Sequence, residues 1–170
     1  MKIGIDARLI NETGVGRYIR SLITELEKTD KKNSYVLFLR RDEFNTLHTR
    51  FEKQLADVPW HSVAEQLFMP AILSREHLDL LHVPYFNVPL LYFGKFVVTI
   101  HDLTILNFNT GKASTRSYVS YQLRRFGYYL SLLKAIFWSE KIIAVSHATK
   151  NQILAHFDVG QEDIEVIYEG

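Results

Sequence analysis

Short apolar runs rich in β-branched and aromatic residues recur along the chain: Ile3 to Ile5, Tyr35 to Leu39, a weaker run near Trp60 to Val63, Leu78 to Val83, Phe96 to Ile100, Lys141 to Val145 and Ile164 to Tyr168. Several are apolar at nearly every position instead of alternating, the pattern of strands covered on both faces. Between them lie stretches with helical spacing. In GRYIRSLITELEK the apolar positions Tyr18, Ile19, Leu22, Ile23 and Leu26 fall on one stripe, with Arg17, Arg20, Glu25 and Glu27 largely outside it. YVSYQLRRFGYYLSLLKAIFW and HATKNQILAHF also read as helices, the second with Ser146 as its N-cap. Strand, helix, strand in repetition predicts an α/β domain on a doubly wound, mainly parallel sheet with helices on both faces. Residues 107–115, NFNTGKAST, have the composition of a surface loop.

Composition narrows the class. With 170 residues, 47% hydrophobic and 13% aromatic, the chain can bury one substantial core, so a single domain over 1–170 is expected. A formal charge of +1 gives no reason to expect nucleic acid as a partner. Cysteine is absent, which removes disulfides and thiolate zinc sites and suits a reducing compartment. Asp6 and Arg8 interrupt the first apolar run, and Pro84, Asn87, Pro89, Gly94 and Lys95 break the one near Phe96, so neither a secretory signal nor a spanning helix is expected. The expectation is a cytoplasmic protein. The last strand, in IEVIYEG, has no covering helix after it and reads as a cut at an interdomain hinge.

The glycine loop NETGVGRYI leads from the first strand into the first helix and is the first candidate for chemistry. A Walker loop needs Lys then Ser or Thr after its second glycine, and Arg17 and Tyr18 stand there instead. A dinucleotide fingerprint fits only half way: Gly14 and Gly16 supply two glycines, but the third position is Ile19 and the strand ends too early. Arg40 and Arg41, not an acid, follow the second strand. Two readings stay open: glycines that take positive φ and let an anion approach the first helical turn, or glycines that only permit a tight loop.

Polar residues cluster where strands end, the place at which open α/β sheets bind ligands: Asp6, Arg8, His82, His101, Asp102, Ser146 and His147. In VVTIHDLTIL a His-Asp pair follows a buried strand directly. His101 could donate to a hydroxyl or phosphate and Asp102 could accept from a hydroxyl or orient the imidazole; alternatively Asp102 caps a turn and His101 satisfies a carbonyl. No metal-ligand spacing occurs. Residues 115–138 carry Arg116, Arg124, Arg125 and Lys134 among many aromatics and no acid, which suits either a helix resting on anionic lipid or ordinary packing with its basic residues in solvent.

Four blocks, IGIDARLINETGVGRYIRSLITEL, HVPYFNVP, VVTIHDLTIL and SEKIIAVSHATKNQI leading to IEVIYEG, occur in order over essentially the whole chain. Together they resemble the N-terminal domain of the family 4 glycosyltransferases, a retaining group with the two-domain GT-B architecture. The first block looks most like the mannosyltransferases of bacterial surface polysaccharide synthesis. The resemblance implies a Rossmann-like fold, a nucleotide-sugar donor, a glycan or lipid-linked acceptor, no cofactor and no metal. It implies that Gly14, with Gly16 second and Arg8 nearby, lies by the donor diphosphate and acceptor. His101 matches the strand-end histidine that contacts the transferred sugar, Asp102 follows it as in many members, and Ser146 matches the hydroxyl opening the helix at the cleft. It places the rest of the donor site in a C-terminal domain that this chain lacks, so the 170 residues alone are expected to be inactive. The other expectation is a noncatalytic glycan-binding or docking module working with a separate donor-binding subunit. Peripheral contact with the inner face of a membrane, through 115–138, completes the expected partners.

Overall fold

The computed structural model describes residues 1–103 and 118–169, with side chains from residue 125 onward in the second segment. The surface loop expected at 107–115, together with Arg116 and the side chain of Arg124, lies outside the described residues. In chain order the elements are β1 (Lys2–Asp6), α1 (Gly14–Thr29), β2 (Ser34–Leu39), α2 (Arg41–Thr46), β3 (Glu52–Leu55), α3 (Val63–Arg75), β4 (Leu80–Val83), β5 (Phe96–Ile100), α4 (Tyr118–Trp138), β6 (Lys141–Ala144), α5 (His147–His156) and β7 (Ile164–Val166). Among the described residues the strands form one sheet of seven in the order β3-β2-β1-β4-β5-β6-β7, every neighbouring pair parallel.

The alternation of β2 shows how both faces are filled. Val36 and Phe38 point to one core with Met69 and Leu73 of α3, Leu132, Ala135 and Ile136 of α4, and Ile153 of α5. Tyr35, Leu37 and Leu39 point to the other, with Ile19 and Ile23 of α1. A strand buried on both sides has no polar face to show, which is why β2 is apolar from Tyr35 to Leu39.

Right-handed crossovers decide which helix covers which face. From β1 the chain steps outward to β2 and β3 with α1 on one face; it then reverses past β1 to β4 and continues through β5, β6 and β7 with α3, α4 and α5 on the other. Among the described residues only α1, reaching across through Tyr18, lies over this side of β4 and β5, and no helix covers β6 and β7 there. Leu80, Val97 and Ile143 lie half-buried there and, with Tyr18, Leu22 and Leu26 of α1, line an open groove of about 980 Å³.

One expected strand is corrected here. The weak strand expected near Trp60 to Val63 is a turn and a helix start: Ser62 Oγ accepts the Glu65 N–H at 3.1 Å and α3 begins at Val63. The third strand is instead Glu52–Leu55, a polar edge strand with no apolar run to betray it. The α3 helix has only Glu65, Met69 and Leu73 buried, a stripe one residue wide that includes a charge, and it contains Pro70. Val63, Leu67 and Phe68 are exposed, so apolar residues surround the helix without periodicity. Arg40 and Arg41 flank Asp57, Arg41 Nε donating to Asp57 Oδ2 at 3.0 Å.

Of the two readings left open for the glycines, the positive φ of the first is not found: no described glycine has positive φ. Gly14 and Gly16 lie within the first turn of α1. A Cβ on Gly16 would sit 2.5 Å from the Ile10 carbonyl oxygen, whereas one on Gly14 would meet nothing within 4 Å. Gly16 lets the helix press onto the loop that leads into it, and Gly14 leaves open space beside the groove. Across the sheet under α1, His82 Nε2 and Thr99 Oγ1 are 2.8 Å apart, and Tyr18 Oη is 3.0 Å from the same hydroxyl. Burial first, and the neighbouring His101 second, depress the His82 imidazole to about 4.

Urea denaturation should separate the two glycines. Gly16→Ala lowers unfolding free energy by about 1–3 kcal/mol through overpacking, while Gly14→Ala is neutral or slightly stabilising. His82 sets a pH dependence. Because the unfolded chain binds a proton at His82 that the folded chain refuses, stability is full above the ordinary histidine range and falls as pH drops from about 6.5 to about 4. His82→Gln, which cannot titrate, should show a smaller loss over that window.

Candidate functional site

The reversal between β1 and β4 opens the sheet's carboxyl edge at a topological switch point, where loops from both halves diverge and leave room for a ligand. Gly14, Arg17 and Tyr18 of α1, His82 of β4 and the segment Ile167 to Glu169 after β7 line the groove that begins there. His101, the first residue beyond β5, stands beside it, with its ring edge-on to Tyr18 at 5.3 Å and tilted to Tyr85 at 6.3 Å.

Three contacts hold His101. Its Nε2 lies 2.9 Å from the Pro84 carbonyl oxygen, so that nitrogen donates. Its Nδ1 lies 2.6 Å from Glu169 Oε1, so in this arrangement both ring nitrogens face acceptors. Its backbone carbonyl accepts from Thr149 Oγ1 at 3.2 Å. Ser146 acts through that last bond. Its hydroxyl caps α5 by accepting the Thr149 N–H at 3.1 Å and lies 3.0 Å from Thr149 Oγ1, fixing the residue that anchors His101. Asp102 is exposed next to it. Burial first, then the Asp102 charge, pushes the Tyr85 hydroxyl up to about 12, so Tyr85 remains a donor through the neutral range.

Arg8 is built into the rim instead of facing the groove. Its Nε donates to Asp6 Oδ1 at 2.8 Å, its Nη2 to Asp6 Oδ2 and to Glu65 Oε1 at 2.6 Å each, and its Nη1 to the Val58 carbonyl at 3.2 Å. Burial opposes the Arg8 charge, but Asp6 and then Glu65 outweigh it and hold the guanidinium above its ordinary value. Burial lifts the Glu65 carboxyl, with Arg8 pulling the other way. Glu65 also accepts from Asn87 Nδ2 and from the His61 N–H, so every oxygen of this buried cluster is matched.

The structure thus brings Gly14 to the groove and His101, with Asp102 and Ser146 in attendance, to its edge. It keeps Gly16 against the backbone carbonyls of Leu9 and Ile10, and Arg8 in the ion cluster. His147 begins α5, its ring 6.1 Å from that of Tyr168. Sequence reasoning missed Tyr18, Thr99, Glu65 and Glu169. Tyr18 was legible as one helical turn beyond Gly14 on the sheet-facing stripe, and Thr99 as the lone polar residue in FVVTI; Glu65 was hidden by the missed helix.

The sequence profile of Glycosyltransferase Family 4 matches residues 13–170. No curated protein sequence matches the chain. Among solved structures, the wall teichoic acid polymerase TagF, in a single-site variant, superposes with TM-score 0.56 at 11% identity over 99% of this chain and 38% of that one. The UDP-GlcNAc 2-epimerase from Neisseria meningitidis bound to UDP-GlcNAc superposes with TM-score 0.51 at 12% identity, over 98% of this chain and 45% of that one. The chain therefore spans less than half the length of either protein, and both share its fold. With a family match over nearly all its length, the chain belongs to glycosyltransferase family 4.

Proposed function

We propose that this chain is the acceptor-side domain of a retaining glycosyltransferase that transfers a sugar from a nucleotide-sugar donor to a glycan or lipid-linked acceptor in bacterial surface polysaccharide synthesis, in the manner of a mannosyltransferase. The observation that carries the reading is the contact of Tyr18, one helical turn beyond Gly14, with His101 at the carboxyl edge of the sheet. The exposed N–H groups of a helix start favour an anion, and Gly14 adds no side chain to obstruct one. His101 is oriented by Pro84, and the place now taken by the Glu169 carboxylate at Nδ1 is where a sugar oxygen would sit. Transfer of this kind rests on stabilising charge on the leaving diphosphate and needs donors more than a nucleophilic side chain.

A C-terminal donor-binding domain would supply the remaining contacts. Ile167 and Tyr168, 49% and 66% exposed at the groove's end, favour a partner surface there. The same exposure suits the second reading, a noncatalytic glycan-binding or docking module that works with a separate donor-binding subunit. For α4, the expectation that its basic residues all face solvent fails at Lys134, which is buried, donates to the Leu90 and Tyr92 carbonyls and lies near the Phe93 and Trp138 rings. Phe93, Phe126, Tyr129 and Trp138 are exposed, as is Arg125, which supports peripheral contact with anionic lipid. Among the described residues no helix is long and apolar enough to cross a membrane.

In the full-length protein, His101→Ala should lower turnover by about 10²–10³, measured as nucleoside diphosphate release from a panel of nucleotide sugars, with the melting temperature nearly unchanged. Near-parental rates would remove His101 from the site, and no release from any donor with acceptor extracts present would favour the docking module. Vesicles containing anionic phospholipid should co-sediment the chain more than neutral vesicles do, and Phe93→Ser with Trp138→Ser should abolish the difference; equal sedimentation on both would remove the membrane partner.

A further inference from the structure

A second cavity, of about 330 Å³, lies between the start of α3, the β4–β5 loop and the middle of α4. Its size falls in the range of small-molecule sites. Its wall combines two kinds of group. The rings of His61 and Tyr128 meet edge to face with centroids 4.5 Å apart, and Gln66, Asn87 and Ser131 bring amides and a hydroxyl. Asn87 and Ser131 are both buried, at 7% and 2% exposure. The Gln66 side-chain carbonyl oxygen accepts the Leu90 N–H at 2.7 Å, which fixes the side chain and directs its NH2 elsewhere. Among the described residues no Asp, Glu, Lys or Arg lines the space, and the nearby Glu65 is matched by Arg8, so the wall suits a neutral ligand rich in hydroxyls rather than a phosphate or carboxylate.

Two further features mark a shaped site. Gly127 lies on the wall, and a Cβ there would meet nothing within 4 Å, so the helix is cut back where the space opens. His61 holds φ 54, a left-handed backbone conformation uncommon outside glycine, kept in place by its N–H to Glu65 at 2.8 Å. A chain of ring contacts also links the cavity wall to His101. The His101 ring meets Tyr85 at 6.3 Å and Tyr85 meets His61 at 5.8 Å, so a single tyrosine ring bridges the two regions.

We propose that this cavity holds one neutral pyranose ring of the acceptor glycan, remote from the ring that reacts beside His101. Aromatic edges would meet the apolar face of the sugar while Asn87, Gln66 and Ser131 meet its hydroxyls. The assignment rests on the reading of the acceptor as a glycan, and it gives that acceptor a second point of attachment, which fixes the reacting hydroxyl more firmly than one contact could.

Trp60 reports on the cavity directly, since its ring centroid lies 4.4 Å from that of His61. The chain has two tryptophans, so Trp138→Phe leaves Trp60 as the sole tryptophan, excited selectively at wavelengths tyrosine does not absorb. Titration of that variant with methyl α- and β-pyranosides of glucose, galactose, mannose and N-acetylglucosamine should give a saturable fluorescence change with at least one of them. Adding Gly127→Leu should weaken that binding by about tenfold or more with the thermal melt unchanged. If Gly127→Leu unfolds the chain, Tyr128→Leu serves instead and should weaken binding likewise. No saturable response across the panel, undiminished binding in the folded cavity variant, or an equal response to cyclohexanol would overturn the proposal. The readout needs no transfer. Sugar binding with a normal rate in His101→Ala would remove the strand-end reading alone, and a His101-dependent enzyme without sugar binding would remove the cavity alone.

Discussion

The handedness of the crossovers is the constraint on which the remaining architecture depends. A parallel sheet is stable only when both faces are covered, and each right-handed step places its helix on a face set by the direction of travel. Because the chain reverses direction after β3, its two halves cover opposite faces, and beyond the reach of Tyr18 the half built from β4 to β7 keeps one face open among the described residues. The groove over Leu80, Val97 and Ile143 and the divergence of loops at the carboxyl edge are therefore consequences of one topological event. The first creates an apolar surface in want of a cover, and the second creates a place for a ligand.

The polar network beneath α1 shows how the open side tolerates its exposure. Thr99 is fully buried, yet its hydroxyl serves both His82 and Tyr18, which spans helix and sheet. A polar group at that position would be costly alone; shared among three side chains it locks α1 over β4 and β5. Tyr18 then presents its ring to His101, so the helix whose first turn contains Gly14 also sets the attitude of the strand-end imidazole. The glycine loop and the histidine, far apart in sequence, are coupled through one tyrosine.

Much of this is legible in the sequence, and the failures have physical causes. Phe96–Ile100 stands out because a strand covered on both faces is apolar nearly throughout, and α5 because Ser146 caps it as a serine should. Glu52–Leu55 does not, because an edge strand has no need of apolar residues. The α3 helix escapes because one of its three buried positions is Glu65, whose partner Arg8 lies in the distant turn after β1, and because Val63, Leu67 and Phe68 blur the stripe. Lys134 reads as a solvent residue because pattern alone cannot foresee that Leu90 and Tyr92 would offer their carbonyls. Among site residues, His101 and Gly14 stand out by position at a strand end and a helix start. Tyr18 and Thr99 matter only through a contact between segments separated by 81 residues, which no local pattern encodes.

The ion cluster of Asp6, Arg8 and Glu65 ties the end of β1 and the turn after it to the start of α3. A buried ion pair adds little net stability over an apolar replacement, but breaking one leaves an uncompensated charge, so such a cluster acts chiefly by forbidding alternatives. Here it forbids independent movement of the end of β1, the Val58 carbonyl, the start of α3 and Asn87 of the β4–β5 loop. Asn87 and His61, two residues held by Glu65, line the cavity beside α3. A site that must hold two parts of one extended ligand at a fixed separation gains from such a wall, because any slack between the two attachment points would be lost as misalignment at the reacting atom. The cost of burying three charges thus falls where the proposed acceptor site would draw on rigidity between neighbouring loops.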